Sequence, residues 1–294
     1  MKRWLGLLLL LLVAAVPCAM AAAEVVDDRG QRSRWADPPQ RIVSLLPSVT
    51  ESVCALGACD RLVGVDDYSN WPPQAKALPH VGGLEDANVE RIVALRPQVV
   101  LLSRSARVTE RLEALGLRVL AFEPDSLADL QRVLAQLGVL LGREAQAQAL
   151  WREMNDGVER AAAKLPPAAR GLRVYFEVAS TPYAASESSF IGQLLARLGA
   201  ANVVPGALGP FPKLNPEFVV KANPQLIMLG DRNTVPLATR PGWQGIDAIR
   251  RERICVFTPA QGDVLVRPGP RMPEAAQLMA DCLARKSAGE GAAR

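Results

Sequence analysis

Two stretches of the chain repeat the same order of polar and apolar positions. Residues 88–102 read NVERIVALRPQVVLL, and residues 215–229 read NPEFVVKANPQLIML. In each stretch an Asn that can cap a helix is followed by a short mixed segment, a Pro-Gln pair and an unbroken apolar run. The pattern predicts a short helix that begins after Asn88 or Asn215, ends at the proline, and leads into a buried parallel strand.

A second pair of segments extends this repeat over both halves of the chain. Apolar runs at residues 41–46 and 172–178 predict strands, and a segment with helical spacing follows each of them. Ser48 and Glu51 have the S-x-x-E spacing of a capping box, and Ser189 opens the corresponding helix of the second half. Strands therefore alternate with helices in both halves, which predicts an α/β fold with a parallel sheet in each half.

A helical stretch separates the two halves. Ser126 and Asp129 have the spacing of a helix cap, and residues 143–164 contain no proline. A helix of that length would extend about 33 Å. We therefore expect two Rossmann-like lobes, joined by a single long rigid helix, with a ligand cleft between them. The expected segments are an N-terminal extension at 24–39, a first lobe at 40–142, the linking helix at 143–165, a second lobe at 166–285 and a disordered tail at 286–294.

The first residues have the layout of a secretory signal peptide, which we assign to residues 1–23. Lys2 and Arg3 precede an apolar run that is too short for a standard membrane-spanning helix, and an Ala-x-Ala exit follows. We expect cleavage within residues 21–23 and export to the periplasm. Cys18 leaves a lipid-anchored form as the alternative, although Pro17 directly before it fits a lipid-attachment site poorly.

Export changes the interpretation of the remaining cysteines, which are Cys54, Cys59, Cys255 and Cys282. An even number of cysteines in an oxidising compartment predicts disulfides. Four cysteines allow three connectivities, and the spacing alone does not choose among them. Buried free thiols are the alternative.

Composition narrows the classes of function. Lys and Arg total 34, Asp and Glu total 30, and the net charge of +4 gives no electrostatic case for nucleic-acid binding. The single histidine, His80, nearly excludes a Ser-His-Asp triad and a multi-histidine zinc site. We expect His80 at the surface or at the rim of the cleft, with an axial bond to a chelated metal as the alternative.

The chain also lacks the sequence signatures of common enzymes, since it contains neither a G-x-S-x-G nucleophile elbow nor a phosphate-binding loop. We therefore predict a binding protein with no catalytic residue, no cofactor and no metal site of its own. The alternative from another class is a secreted enzyme that uses a cleft carboxylate such as Glu85 or Asp86.

Four segments, at residues 41–51, 64–73, 90–97 and 263–271, resemble the helical-backbone (class III) substrate-binding proteins of ABC importers, and in particular the cobalamin-binding branch. The resemblance covers roughly residues 40–285. It implies a monomer that captures cobalamin (vitamin B12) or a related corrinoid in its cleft. It also implies delivery of this ligand to a membrane permease dimer with its ATPase subunits.

The same resemblance implies a set of ligand-binding residues. They are Pro47, Ser48, Tyr68, Phe211, Asp263 and Arg267. Tyr68 and Phe211 would contact the macrocycle, while Asp263 and Arg267 would meet its polar side chains. Leu84 and Ser103 stand where the cobalamin branch has tryptophan, so haem or a ferric siderophore is the alternative ligand.

Glu90 and Glu217 match the two surface glutamates that pair with permease arginines in this family. Both follow the capping Asn of the repeat at the same distance, so one glutamate falls in each lobe. We expect them to dock the protein on its permease. The alternative is that a glutamate in the first turn only stabilises the helix dipole.

Overall fold

The computed structural model describes residues 22–179, 182–230 and 237–287. Most of the predicted signal peptide, including Cys18, and the part of the predicted tail after residue 287 lie outside the described residues. The described chain begins with a two-stranded antiparallel hairpin of β1 (Ala23–Val26) and β2 (Arg32–Trp35). Val25 and Trp35 are buried in the core of the first lobe, so this N-terminal extension packs as part of that lobe.

The first lobe is built on a four-stranded parallel sheet. Its strands are β3 (Ile42–Ser44), β4 (Leu62–Val65), β5 (Val99–Leu102) and β6 (Val119–Ala121). Its helices are α1 (Pro47–Ala55), α2 (Pro73–Lys76), α3 (Val89–Ala94) and α4 (Thr109–Ala114). The strand order is β4-β3-β5-β6. Every residue of β5 is buried, as expected for an inner parallel strand that is covered on both faces.

Two helices connect the lobes, α5 (Leu127–Leu141) and α6 (Glu144–Ala163). Gly142 separates them with a left-handed φ of 64°, which a glycine adopts at little cost. In α5, Leu137 packs in the core of the first lobe and Leu134 in that of the second; in α6, Ala147 and Met154 do the same. The structure therefore adds α5 to the predicted linking helix, since both helices are anchored in both cores.

The second lobe has a mixed five-stranded sheet. Its strands are β7 (Arg173–Ala179), β8 (Tyr183–Ala184), β9 (Ala201–Asn202), β10 (Leu226–Gly230) and β11 (Ile254–Phe257). Its helices are α7 (Phe190–Arg197), α8 (Pro216–Ala222), α9 (Asp247–Arg250), α10 (Pro259–Val266) and α11 (Met272–Ser287). The order is β11-β10-β7-β8, with β9 also paired to β7, and only β8 runs antiparallel.

Most of the predicted helix starts are confirmed. The side chains of Asn88, Ser126, Ser189 and Asn215 each accept a hydrogen bond from a backbone N–H of the first turn. At Ser126 the capping box is complete. These contacts satisfy backbone donors that have no partner within the helix, and they span only two or three residues, so their spacing is visible in the sequence.

Two local predictions are wrong. The capping box predicted at Ser48 and Glu51 does not form, because α1 already begins at Pro47, whose fixed φ suits the first helical position. Ser48 is thus inside the first turn, and Glu51 accepts hydrogen bonds from arginines of the second lobe. Residues 286 and 287, which the sequence analysis assigned to the tail, belong to α11. Within the described parts of the chain, no helix is both long and apolar enough to cross a membrane.

All four remaining cysteines form disulfides in the structure. Cys54–Cys59 closes a short loop at the end of α1, with a separation of 5 residues. Cys255–Cys282 joins β11 to α11 across 27 residues of chain. This pairing selects one of the three connectivities that the sequence left open.

We expect the longer disulfide loop to contribute more to stability. Chain entropy assigns about 3.5 kcal/mol to the closure of the Cys255–Cys282 loop and about 2 kcal/mol to that of Cys54–Cys59. Replacing both cysteines of a pair by Ala should lower the free energy of unfolding by about these amounts, as measured by urea denaturation. An equal loss for the two pairs would contradict the loop-length argument.

Candidate functional site

A cavity of about 330 Å³ lies between the two lobes. All six predicted ligand-binding residues line it, namely Pro47, Ser48, Tyr68, Phe211, Asp263 and Arg267. In the first lobe the lining follows the strands directly, with Leu46 after β3, Ser103 after β5 and Glu123 after β6. The carboxyl ends of parallel strands meet at one edge of a sheet, which is the usual place for a ligand in such folds.

Tyr68 presents an aromatic ring to this cavity, and 62% of its surface is exposed. Its backbone N–H donates to Asp66 Oδ2 at 3.1 Å, and the Ser69 hydroxyl also donates to this carboxylate. Burial raises the pKa of Asp66, while the hydrogen bonds from Ser69 and Tyr68 act in the opposite direction. A side chain at Gly83 would place its Cβ 3.2 Å from the Tyr68 ring, so glycine leaves room for the ring there.

Phe211 supplies the second ring, from the other lobe. It is partly buried against the core of the second lobe, with its centroid 5.9 Å from that of Phe190 and an angle of 63° between the rings. This edge-to-face contact holds the Phe211 ring in place. The cavity thus has one aromatic side chain from each lobe.

Arg267 and Asp263 lie together in the second lobe, where Arg267 Nη2 is 3.0 Å from Asp263 Oδ2. The guanidinium also donates to Glu51 Oε1 at 3.1 Å, Asn70 Oδ1 at 2.8 Å and the backbone oxygen of Tyr68 at 3.0 Å. Arg267 is 9% exposed. Most N–H groups of Arg267 therefore donate to oxygens of the first lobe. Asp263 is the more accessible member of the predicted polar pair.

Sequence reasoning missed the role of Glu51. Arg271 donates to its two oxygens, from Nε at 2.9 Å and from Nη2 at 2.6 Å, in addition to the bond from Arg267. Glu51 lies in α1 of the first lobe and both arginines lie in the second lobe, so this buried cluster joins the lobes. The partners are more than 200 positions apart in the chain, and no local spacing could have indicated the contact.

Glu123 and Asp125 were also missed, although both line the cavity. Glu123 Oε1 accepts hydrogen bonds from Ser103 Oγ at 3.1 Å and Ser105 Oγ at 3.3 Å, and Arg104 Nε lies 3.4 Å from Glu123 Oε2. Desolvation and the neighbouring carboxylate of Glu123 raise the pKa of Asp125. The available signal was their position shortly after the end of β6, at the carboxyl edge of the sheet.

The residues of the enzyme and metal alternatives lie outside the cavity lining. His80 is partly exposed, and its ring nitrogens face the backbone oxygens of Asp66 at 3.0 Å and Lys76 at 3.3 Å. Glu85 forms an exposed ion pair with Arg107, and Asp86 Oδ1 accepts a bond from the N–H of Gly83. Among the described residues, no three His, Cys, Asp or Glu side chains are grouped to bind a metal ion.

Glu90 and Glu217 occupy the same place in α3 and α8, the second helical position after a capping Asn. Both are exposed. Arg111 Nη2 lies 3.0 Å from Glu90 Oε1, an exposed pair that water competes with and that therefore contributes little stability. The structure thus places an exposed glutamate at the equivalent helical position of each lobe, outside the cavity lining.

A larger cavity, of about 720 Å³, lies beside the Cys54–Cys59 disulfide and Trp71. It is lined by the side of α1 and by α2, with Pro270 and Arg271 from the second lobe. None of the six predicted ligand-binding residues lines it, and it does not lie at the carboxyl ends of the strands. We therefore assign the candidate site to the smaller cavity between the lobes.

Comparison with known proteins agrees with this two-lobed arrangement. A family model described as periplasmic binding protein matches residues 42–260. The chain belongs to the periplasmic binding protein family. Membership confirms the resemblance inferred from the sequence and the prediction of a binding protein rather than an enzyme.

The relatives of this chain differ in what their names say of a ligand: one names vitamin B12, one names haem and one names none. The chain is 28% identical over 261 residues to a vitamin B12-binding protein of Pectobacterium carotovorum, covering 87% of this chain and 92% of the relative. It is 28% identical over 256 residues to an ABC transporter substrate-binding lipoprotein of Bacillus subtilis, covering 83% and 80%. A periplasmic haem-binding protein of Pseudomonas aeruginosa has a similar structure, with a TM-score of 0.71, 26% identity and coverage of 84% and 93%.

Proposed function

We propose that this protein is the periplasmic substrate-binding component of an ABC importer and that it captures cobalamin or a related corrinoid. The observation that carries the proposal is the cavity between the lobes, which combines an aromatic ring from each lobe with carboxylates. A corrinoid has an apolar macrocyclic face and a periphery of primary amides, so it needs both kinds of contact. The relatives named as vitamin B12-binding proteins support this choice.

In this proposal Tyr68 and Phe211 contact the macrocycle. Pro47 and Ser48 form part of the cavity surface that the first lobe contributes. Asp263 accepts hydrogen bonds from the amide groups around the corrinoid. Arg267 holds Asp263 in place and binds Glu51 of the first lobe, so that it keeps the two sides of the cleft in register. The chain reaches the periplasm through a cleaved signal peptide at residues 1–23 and acts there as a monomer. Glu90 and Glu217 then dock the loaded protein on a permease dimer, whose ATPase subunits drive transport.

Calorimetric titration tests the choice of ligand. Cyanocobalamin, haemin and a panel of ferric siderophores are titrated separately into the purified mature protein. Saturable heat with cyanocobalamin and none with the other chelates is the expected result. Haem is the second candidate, because Tyr68 exposes a phenol of the kind that can ligate haem iron. Saturable binding of haemin without binding of cyanocobalamin would overturn the proposal in favour of haem.

We expect Tyr68→Ala and Phe211→Ala each to weaken cyanocobalamin binding by about tenfold, or roughly 1.4 kcal/mol, because each removes one aromatic contact to the macrocycle. Leu115→Ala is the matched control, since it removes an exposed apolar side chain at the end of α4. Its affinity should equal that of the unchanged protein. If Tyr68→Ala and Phe211→Ala bound cyanocobalamin as tightly as the control does, the two rings would not belong to the binding site.

A further inference from the structure

One wall of the cleft is acidic in a way that the proposed function does not use. The wall is formed by Glu123 and Asp125, which follow β6 in the first lobe and line the ligand cavity itself. The side chain of Glu123 is 28% exposed and that of Asp125 is 35% exposed, so each carboxylate is partly desolvated but still reachable. We refer to these two residues as the acidic wall.

The cations near the cavity do not neutralise the negative charge of the acidic wall. Among the described lining residues the charged groups are Glu123, Asp125, Asp263 and Arg267. The guanidinium of Arg267 is already paired with Glu51 and Asp263. Arg104 approaches Glu123 to 3.4 Å and Asp125 to 4.0 Å, but 54% of its side chain is exposed, so water screens it.

Further carboxylates stand behind the wall. Asp28 and Asp129 lie in an adjoining cavity of about 280 Å³ that Glu123 and Asp125 also line, together with Arg104 and Arg132. Arg132 is bound to Asp28 and Asp129. Desolvation raises the pKa of Asp125 most, and the negative charge of Glu123 raises it further.

We propose that Glu123 and Asp125 set the charge selectivity of the cleft, by accepting hydrogen bonds from amide groups on the rim of the chelate and by repelling chelates that carry carboxylate or catecholate groups. An ionised carboxylate accepts hydrogen bonds but donates none, so it suits an amide N–H₂. A second carboxylate at the same place would be left unpaired and repelled, and such repulsion is an established source of specificity. The inference rests on the proposed function, and it selects a neutral amide-rimmed corrinoid over haem, which carries two propionates.

The test compares cyanocobalamin with a monocarboxylate derivative in which one peripheral amide is hydrolysed to the acid. Affinities for both are measured by calorimetry at low salt. We expect the unchanged protein to bind the acid about tenfold more weakly than the amide. In the double variant Glu123→Gln with Asp125→Asn, the ratio should fall toward one. Glu85→Gln is the matched control, because it neutralises an exposed carboxylate outside the cavity, and its ratio should not change.

A further variant is expected to increase the discrimination, a result that a folding defect would not produce. Arg104→Gln removes the exposed cation beside the wall, which despite screening offsets part of its charge, so the discrimination against the acid should increase by a smaller factor than the double variant lowers it. A ratio of one in the unchanged protein, or an unchanged ratio in the double variant, overturns the acidic wall while leaving corrinoid binding intact. If haemin binds and cyanocobalamin does not, the proposed function fails; the wall then stands only if the double variant tightens haemin binding. Binding of neither chelate overturns both.

Discussion

Replacing Glu51 by Ala is expected to lower the free energy of unfolding by about 3–5 kcal/mol. The Glu51 side chain is 2% exposed, and those of its partners Arg267 and Arg271 are 9% and 15% exposed. Its removal leaves two guanidinium groups without the carboxylate that both were holding, in a place that is mostly shielded from water. Urea denaturation of the oxidised protein, followed by circular dichroism, measures the loss.

The matched control is Glu90→Ala, which breaks a single exposed ion pair with Arg111. Its unfolding midpoint should remain where it is in the unchanged protein, because exposed pairs contribute little. A midpoint for Glu51→Ala equal to that of the control would show that the cluster does not stabilise the fold. Glu51→Gln separates charge from shape, and it should destabilise as well, since an amide cannot neutralise two guanidinium groups.

The same cluster bears on how far the lobes move. Glu51 is bound by arginines of the other lobe, and α5 and α6 are packed in both cores. Both features resist separation of the lobes. We therefore expect only a small movement of the lobes when a ligand binds.

Reversing the charge of both Glu90 and Glu217 to Lys is expected to abolish association with the permease. One exposed carboxylate lies on each lobe at equivalent helical positions, so a permease dimer with one cationic patch per subunit would meet both at once. Reversal turns each attraction into a repulsion. Association of the loaded protein with permease in nanodiscs, measured by surface plasmon resonance, reports the effect.

Glu153→Lys with Asp156→Lys is the control, because it changes the net charge by the same amount and both residues are exposed on α6, away from both docking helices. It should leave association unchanged. Ligand affinity should be unaltered in all of these variants, since neither Glu90 nor Glu217 lines the cavity. Permease binding of the double reversal at the level of the control would remove these two residues from the docking surface.

Much of the fold was accessible from the sequence, because its signals are local. The capping side chains of Asn88 and Asn215 bond to N–H groups two or three residues away, and the apolar runs after them form inner parallel strands. The start of α1 was predicted wrongly, because two local signals competed there. Ser48 offered a cap, while Pro47 offered a backbone already set for the first helical turn, and the proline prevailed.

The candidate site, too, could be predicted only in part from the sequence. Tyr68, Phe211 and Asp263 were named from the family resemblance, and the structure brings them to one cavity. Glu123 could have been suspected from its place after β6. The contact of Arg267 with Glu51 could not have been predicted, because Glu51 lies 216 positions away and meets Arg267 only when the lobes are assembled.

The sequence by itself determined the two-lobed α/β repeat and most helix caps, because each depends on groups only a few positions apart. The tertiary structure alone decided which disulfides form and which carboxylate binds both Arg267 and Arg271. These contacts join residues whose distance is set by the packing of helices and sheets around two cores. Burial then decides what the loss of a partner costs: water compensates for it at the exposed pair of Glu90, and much less at the buried cluster of Glu51.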